Sequence, residues 1–397
     1  QGVPVDGKVL IGRFTVAAGS TISGSLNLQL EGVPEVVEAQ TFEFPNGGDS
    51  TKPDFDGDGV ADIVWQNESD GRLISWQQWD GNDQGYVTGF INSNEAIDSS
   101  ETLIEAIDMN SDGRSDIVWQ NDSSVYVWHM DAWTRTSEVT LSSEDMSGWT
   151  LLGVADLDGD QIGDLIWQDT YSGDAANDGR ILAWIEWDGT ENGYVETFIS
   201  SDPIAGGSQY FLGFGDIDGN GTEDLFWQGS DGSLFAWSMD GAVPSQVTID
   251  SGDHSEWSVR AIGDFDGDGN SDLVLQDQYD DAPSTDGRVK LWQNIDGTDG
   301  GYDENWIYDG PIPIDLGWFI NGSADYNGDG NDDILWRDGD GSLICWRMTG
   351  SSYQTGFLYS GSIPGWSVAA PVDVYEAIAS SDSTKPDFDG DGVADIV

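Results

Sequence analysis

Short apolar runs separated by Gly, Asp, Asn and Ser set the rhythm of this chain. Six of them are variants of one another: IVWQ at 63–66, IVWQ at 117–120, LIWQ at 165–168, LFWQ at 225–228, LVLQ at 273–276 and ILWR at 334–337. After a polar turn, each is followed by a second run with Trp near its centre, as Trp76, Trp128, Trp184, Trp237, Trp292 and Trp346. A third run closes each unit, for example YVTGFI at 86–91, YVETFI at 194–199 and SQVTI at 245–249. A fourth, such as TLLGVAD, YFLGFGD, WSVRAIGD or WFINGSAD, leads into the next unit. β-Branched and aromatic residues bounded by turn formers indicate strands, and no helical period persists. Four antiparallel strands per unit, repeated six times, predict an all-β fold: a β-propeller of four-stranded antiparallel blades.

An acidic nonapeptide precedes each of the six IVWQ-type runs. Its copies are DFDGDGVAD at 54–62, DMNSDGRSD at 108–116, DLDGDQIGD at 156–164, DIDGNGTED at 216–224, DFDGDGNSD at 264–272 and DYNGDGNDD at 325–333. A seventh copy, DFDGDGVAD, stands at 387–395. Oxygen-bearing side chains occupy the first, third, fifth and ninth places. The candidate ligands are Asp54, Asp56, Asp58 and Asp62; Asp108, Asn110, Asp112 and Asp116; and Asp156, Asp158, Asp160 and Asp164. They continue with Asp216, Asp218, Asn220 and Asp224; Asp264, Asp266, Asp268 and Asp272; Asp325, Asn327, Asp329 and Asp333; and Asp387, Asp389, Asp391 and Asp395.

Asp, Asn and Gly favour turns without any metal. Four carboxylates or amides in one loop repel one another, however, and the penalty is repeated in every unit. A hard cation relieves it, and Ca²⁺, which takes six to eight oxygens in flexible geometry, suits an all-protein oxygen cage better than Mg²⁺. About six such sites are expected, or seven if the last copy binds. The variable seventh place (Val60, Arg114, Ile162, Thr222, Asn270, Asn331) fits a residue that offers only its carbonyl. Gly at the fourth and sixth places lets the backbone curl around the ion, so Gln161 at the sixth place predicts a distorted third site. An EF-hand would need a bidentate Glu at place twelve, where this chain has Trp65, Trp119, Trp167, Trp227, Leu275 and Trp336.

The motif starts are spaced 54, 48, 60, 48 and 61 residues apart. Long and short units therefore alternate, the long ones carrying the turns DGNDQGYV, DGTENGYV and DGTDGGYD, which suggests three two-blade modules. The pattern divides the chain into an N-terminal strand segment (1–48), a propeller (49–374) and a tail (375–397) whose residues 382–397 repeat 49–64 without a change. Closure has two solutions. WSVAAPVDV at 366–374 can supply the missing inner strand of the first unit and close six blades. Alternatively, VLIGRFTVA (9–17), SGSLNLQL (23–30) and VVEAQTFEF (36–44) join it as a seventh blade. A separate β element or a docking arm is the third reading of the N-terminal strands, since about forty residues cannot bury a core alone.

Composition narrows the function. Asp and Glu number 74 against 13 Lys and Arg, a net charge of −61. Seven divalent ions would offset only a small part of it. A surface this acidic opposes nucleic acids and anionic membranes, and no apolar run is long enough to span a bilayer. The 19 Trp, 14 Phe and 12 Tyr supply a core that disordered acidic chains lack. One cysteine, Cys345, excludes an internal disulfide, so metal sites would serve as staples in an exported protein. The chain begins at Gln1, as a processed chain would. N-x-S/T sequons start at Asn67, Asn121, Asn220 and Asn321.

The pattern DFDGDGxxDIVWQ, followed by a turn and a Trp-bearing strand, resembles the FG-GAP/VCBS-type repeats of secreted and cell-surface β-propellers, relatives of the calcium-binding blades of integrin α-subunit heads. The resemblance spans roughly 54–374. It implies bound calcium and an extracellular or cell-surface location. Propellers of that family usually have seven blades, whereas six full units are visible here.

Catalysis finds little support. Only His129 and His254 are present, no HExxH, GxSxG or P-loop pattern occurs, and the acid pairs are committed to repeated turns. The expectation is a non-enzymatic extracellular calcium-binding propeller, a structural or adhesion module, and in one version a subunit of a surface filament or layer. Its partners would be other surface proteins, glycans or copies of itself, met through exposed strands. A lectin is the alternative, with Trp79, Trp133, Trp187 and Trp306, which fall outside the regular positions, as sugar-stacking candidates on the rim. A polysaccharide-cleaving enzyme ranks third.

Overall fold

The computed structural model describes residues 22–28, 37–44 and 53–370, apart from 99, 122–123, 144–145, 147, 170–177, 202–207, 278–286, 311–317 and 339–340. Six four-stranded antiparallel sheets make up the propeller. Blade 3 shows the plan. Its inner strand Trp149–Ala155 runs into the acidic loop; the strands Asp164–Asp169, Ile181–Ile185 and Val195–Ser200 then follow outward in sequence order. The inner strands Thr102–Ile107, Trp149–Ala155, Gln209–Gly215, Trp257–Gly263 and Phe319–Ala324 touch in succession around the axis.

Blade 1 is assembled from both ends of the propeller. Its second, third and outer strands are Ile63–Asn67, Leu73–Gln77 and Val87–Phe90, and its inner strand is Trp366–Ala370. The register sets Trp366 opposite Asn67, Val368 opposite Trp65 and Ala370 opposite Val64. This closes the ring at six blades. The seven-blade alternative is thereby corrected, because the strand it would have used is already paired in blade 1. Ile22–Leu28 and Val37–Phe44 pair with each other as a two-stranded sheet of their own. The expected strand at 9–17 and the tail copy with Asp387, Asp389, Asp391 and Asp395 lie outside the described residues.

The core is not one cluster but six, each at the junction of two neighbouring blades. Place-twelve side chains Trp65, Trp119, Trp167, Trp227 and Leu275 are completely buried, and Trp336 nearly so. Most of these meet the Trp of the next strand at about 50°, as in Trp65–Trp76 at 4.8 Å and Trp119–Trp128 at 4.9 Å. Tilted ring pairs add a preferred geometry to the area they bury. The repeated Trp residues are thus wedges between blades.

The alternation of long and short units reflects two kinds of junction. In the odd blades the third strand ends at a left-handed residue: Gln78 at φ 56°, Glu186 at 53° or Asn294 at 54°. The long turn that follows reaches back to the preceding blade, where Gln84 N–H donates to Leu358 O, Asn192 N–H to Leu141 O and Gly300 N–H to Ile249 O. Even blades turn tightly instead. Their turn residues Ala132, Gly241 and Gly350 donate to Phe55 O, Leu157 O and Phe265 O at place two of the preceding acidic loop.

Closure through Trp366–Ala370 carries a measurable consequence. Val368→Asp places a charge opposite the buried Trp65 and should cost about 3 kcal/mol or more, the scale of an unpaired buried charge. Amide exchange should then accelerate in 63–67 before it does in blade 3. Uniform exchange across all blades would contradict closure at this seam.

Candidate metal centre

Each acidic loop folds around its own first carboxylate. Asp54 Oδ1 accepts from Gly57 N–H at 2.7 Å and Oδ2 from Gly59 N–H at 2.9 Å. The same pair of bonds holds Asp156, Asp216, Asp264 and Asp325. The fifth side chain accepts from the seventh N–H, as in Val60 to Asp58 at 2.9 Å and Thr222 to Asn220 at 2.7 Å. The ninth carboxylate lies at the head of the second strand and is buried in all six blades. It accepts from the second-place N–H, as Asp62 does from Phe55 at 2.8 Å and Asp164 from Leu157 at 2.9 Å.

These loops gather carboxylates unequally. One oxygen from each of Asp54, Asp56 and Asp58 lies within 4.8 Å of the others, and so do oxygens of Asp156, Asp158 and Asp164. Asp216, Asp218 and Asp224, and Asp264, Asp266 and Asp272, form equivalent groups. The fifth-place Asp160, Asn220 and Asp268 lie outside these groups, although each accepts from the seventh-place N–H just as Asp58 does. In blades 2 and 6 the third place is Asn. Asn110 Nδ2 donates to Asp116 Oδ2 at 2.9 Å, and Asn327 Nδ2 to both oxygens of Asp333 at 3.2 and 3.0 Å. The amide relieves the buried carboxylate there, and Asp108, Asp112, Asp325 and Asp329 join no three-carboxylate group among the described residues.

The donor set fits a hard divalent cation. Asp62 Oδ1 and Asp266 Oδ1 are buried without a hydrogen-bond partner, and such orphaned charge is costly unless something positive meets it. Desolvation, aided by the neighbouring loop carboxylates, pushes Asp62 and Asp164 up to about 9. The same causes push Asp224, Asp272 and Asp333 up to about 8. A buried group in this position holds either a proton or a cation.

Gln161 departs from the expectation of a distorted loop. It adopts φ 68° and donates its N–H to Asp156 Oδ2 at 2.9 Å, as the glycines do at that place. The cost is left-handed strain on a residue with a Cβ, about 1–2 kcal/mol, while the site keeps its shape.

A second set of polar groups faces the loops from the end of the third strand of the blade and was not singled out from the sequence. Ser238 Oγ donates to Asp218 Oδ2 at 2.7 Å, and Gln78 Nε2 to Asp56 Oδ2 at 2.6 Å. Gln293 Nε2 lies 3.1 Å from Asp266 Oδ2, and His129 Nδ1 lies 2.7 Å from Asp116 Oδ2. The signal was present in part: the residue after the repeated Trp is His129, Ser238 or Gln293 in three blades, a polar side chain in the third strand, whereas Gln78 stands one place later.

The loops are joined to one another. The carbonyl of place one accepts from the N–H of place eight in the next blade: Asp54 O from Ser115 at 2.6 Å, Asp108 O from Gly163 at 3.1 Å, and Asp156 O from Glu223 at 2.8 Å. Asp216 O from Ser271 at 2.5 Å, Asp264 O from Asp332 at 2.7 Å and Asp325 O from Ala61 at 2.8 Å complete the circle.

Of the four irregular tryptophans, three are corrected as stacking sites. Trp79 and Trp187 are buried, donating their indole N–H to Asn82 O and Thr190 O at 2.8 Å. Trp133 packs against Gly89, where a Cβ would sit 2.3 Å from its ring. Trp306 alone is exposed, at 43%. Cys345 is buried.

The ninth carboxylates set a pH dependence for the metal-free protein. In the fold the pKa values of Asp62, Asp164, Asp224, Asp272 and Asp333 lie above the ordinary 3.8, so their protonated form favours folding. That contribution is complete below about pH 4 and is lost as pH rises through about 8–9, by at most about 1.4 kcal/mol per group per unit. Thermal melts in chelator should therefore fall steadily from pH 5 to pH 9, and calcium should reverse the trend. A chelated protein equally stable at both ends would contradict this.

Residues 108–167 match the family of the FG-GAP-like repeat. No curated protein matches the chain. Among solved structures, AofleA from Arthrobotrys oligospora is similar at TM-score 0.44 and 12% identity, over 76% of this chain and 83% of that one. The six-bladed, fucose-recognising lectin of Aleuria aurantia is similar at TM-score 0.37 and 14% identity, over 77% and 96%. A putative 6-phosphogluconolactonase from Bacteroides fragilis is similar at 0.35 and 15%, over 89% and 96%. With its ring closed at six four-stranded blades, the chain is a β-propeller whose residues 108–167 match the FG-GAP-like repeat.

Proposed function

We propose that this chain is a non-enzymatic, calcium-stiffened propeller working outside the cell or at its surface as a structural or adhesion module that assembles with copies of itself or with other surface proteins. The observation that carries the reading is the circle of acidic loops. An ion in one loop would fix a turn that is hydrogen-bonded to its neighbours, so metal would act on the whole ring rather than on one blade. Nothing in the arrangement needs a reacting substrate. The acid groups repeat from blade to blade, and no described pair stands apart from its copies as a catalytic pair would.

Calcium would be held by the three-carboxylate groups of blades 1, 3, 4 and 5, with loop carbonyls completing the shell. Blades 2 and 6 would bind more weakly, because Asn110 or Asn327 must first release Asp116 or Asp333. Elemental analysis should find about four tightly held ions, and isothermal titration two weaker ones. A site in hundredfold excess of its Kd contributes about 2.7 kcal/mol. At about 2 °C per kcal/mol for a domain of this size, chelation should lower Tm by more than about 10 °C. An unchanged Tm with no calcium found would remove the metal reading.

A lectin remains the second reading, favoured by one observation. At the same register of the outer strands, Phe90, Phe198, Trp306 and Phe357 are each 43–45% exposed. Around Trp306 the ring of Trp257 lies 5.6 Å away and the Arg288 guanidinium 5.0 Å away. A glycan array should show binding that Trp306→Ala abolishes if this face takes sugars. A blank array leaves the structural reading alone.

A further inference from the structure

Blade 2 is the one blade whose third strand sets a histidine against the acidic loop. At the same place, after the repeated Trp, the other blades carry Gln77, Ile185, Ser238, Gln293 and Arg347. We propose that His129, Asp116 and Asn110 form a binding site for a six-coordinate divalent transition cation such as Ni²⁺ or Fe²⁺, which sets this blade apart from the calcium loops. The site stands on its own three side chains and does not depend on calcium filling the other loops.

Three polar atoms meet there in a tight triangle. His129 Nδ1 lies 2.7 Å from Asp116 Oδ2, Asn110 Nδ2 lies 2.9 Å from the same oxygen, and Nδ2 lies 3.1 Å from Nδ1. Each corner comes from a different element: Asn110 from the acidic loop, Asp116 from the head of the second strand, His129 from the third strand. Met130 N–H donates to Asp116 Oδ1 at 2.8 Å and Met109 N–H to Oδ2 at 3.2 Å, so the carboxylate is fixed with Oδ2 toward the imidazole. The ring of Trp187, from blade 3, backs the imidazole at 6.1 Å and 20°. Asp116 is completely buried, whereas Asn110 is open to solvent.

Hydrogen bonds cannot satisfy this triangle. Donors and acceptors alternate around a ring only when its members are even in number. The carboxylate oxygen accepts and the amide nitrogen donates. His129 Nδ1 can meet the carboxylate only as N–H, and can meet the amide N–H only as a bare lone pair. Turning the amide over sets Asn110 Oδ1 against Asp116 Oδ2 instead. Each choice moves the conflict to another edge and removes none, and a mismatched contact beside a buried carboxylate is costly. A cation meets all three corners at once, because Asn110 Oδ1, Asp116 Oδ2 and the bare His129 Nδ1 each offer it a lone pair.

Spacing and donor type choose the ion. Ligands sharing one face of an octahedron stand about 1.4 bond lengths apart, so an ion about 2.1 Å from each needs edges of about 3.0 Å. Calcium, at about 2.4 Å, needs edges of about 3.4 Å. A tetrahedral Zn²⁺ needs edges of similar width, since its ligands stand about 1.6 bond lengths apart. The edges of 2.7, 2.9 and 3.1 Å match the small octahedral ion. Mg²⁺ has that size but keeps to oxygen, whereas Ni²⁺ and Fe²⁺ accept imidazole. Water can fill the remaining positions from the open side at Asn110. Blade 6 has the third-place amide too, but Arg347 stands where His129 does and has no lone pair to give.

The test uses the full chain without an affinity tag, held in excess calcium, with Ni²⁺ as the probe. Titration calorimetry should find one tight Ni²⁺ site per chain that calcium does not displace. The chain has only two histidines, His129 and His254. With ¹⁵N-labelled histidine, paramagnetic Ni²⁺ should broaden away the ring signals of one and spare the other. His129→Gln should weaken Ni²⁺ binding at least about a hundredfold while calcium content and Tm stay as they were; His254→Gln should change neither affinity nor the broadened signal. Should His129→Gln fail to fold, the broadening in the unaltered protein still decides, with His254→Gln assigning it. Ni²⁺ that calcium displaces, that touches neither histidine, or that binds His129→Gln as tightly overturns the proposal. Elemental analysis reads calcium in the other loops separately, so failure of the calcium reading would leave this site standing.

Discussion

A closed circle of backbone hydrogen bonds, place one of each acidic loop to place eight of the next, is the constraint on which this propeller depends. An acidic loop is a poor structural element by itself. Its carboxylates repel, its ninth-place Asp is buried, and its turns demand left-handed residues at places four and six. Linking six such loops makes each one's geometry a condition for its neighbours. It also explains why one ring can carry so much negative charge at one end. The same concentration that would scatter isolated loops becomes the ligand field of a divalent ion once backbone bonds hold the oxygens in place.

Much of this was legible in the sequence, because the signals repeat. The strands, the Trp wedges and the oxygen places of the loops each recur at fixed offsets, so one blade confirms another. The circle of loop bonds was not legible. It uses N–H and C=O groups that every residue carries, and its place-eight donors are as different as Ala61, Ser115, Gly163, Glu223, Ser271 and Asp332. The inequality of the loops was half legible. Asn110 and Asn327 are visible as letters, but only the structure shows their amides turned onto the buried ninth carboxylate.

The misplacement of Trp79 and Trp187 has a local cause. Both follow a residue in the left-handed region, Gln78 or Glu186, where no Gly or Asn announces a change of direction. A strand that continued straight would have put these rings outside. The reversal of φ turns them inward, onto the junction with the preceding blade. That turn also separates odd from even blades, so the long and short spacings mark two ways of fastening a blade to the one before it.

Blade 1 stands where the two fastenings meet the seam. Its long turn reaches back to blade 6 through Gln84, and its acidic loop receives Ala132 of blade 2. Its inner strand comes from the far end of the propeller. Every other blade is held together by chain continuity between its inner strand and its loop. In blade 1 that covalent link is replaced by the pairing of Trp366–Ala370 with Ile63–Asn67. The segment between residues 54 and 64 is therefore the keystone of the ring: it is bonded to blades 2 and 6 on its flanks and pairs through Val64 with the strand that closes blade 1.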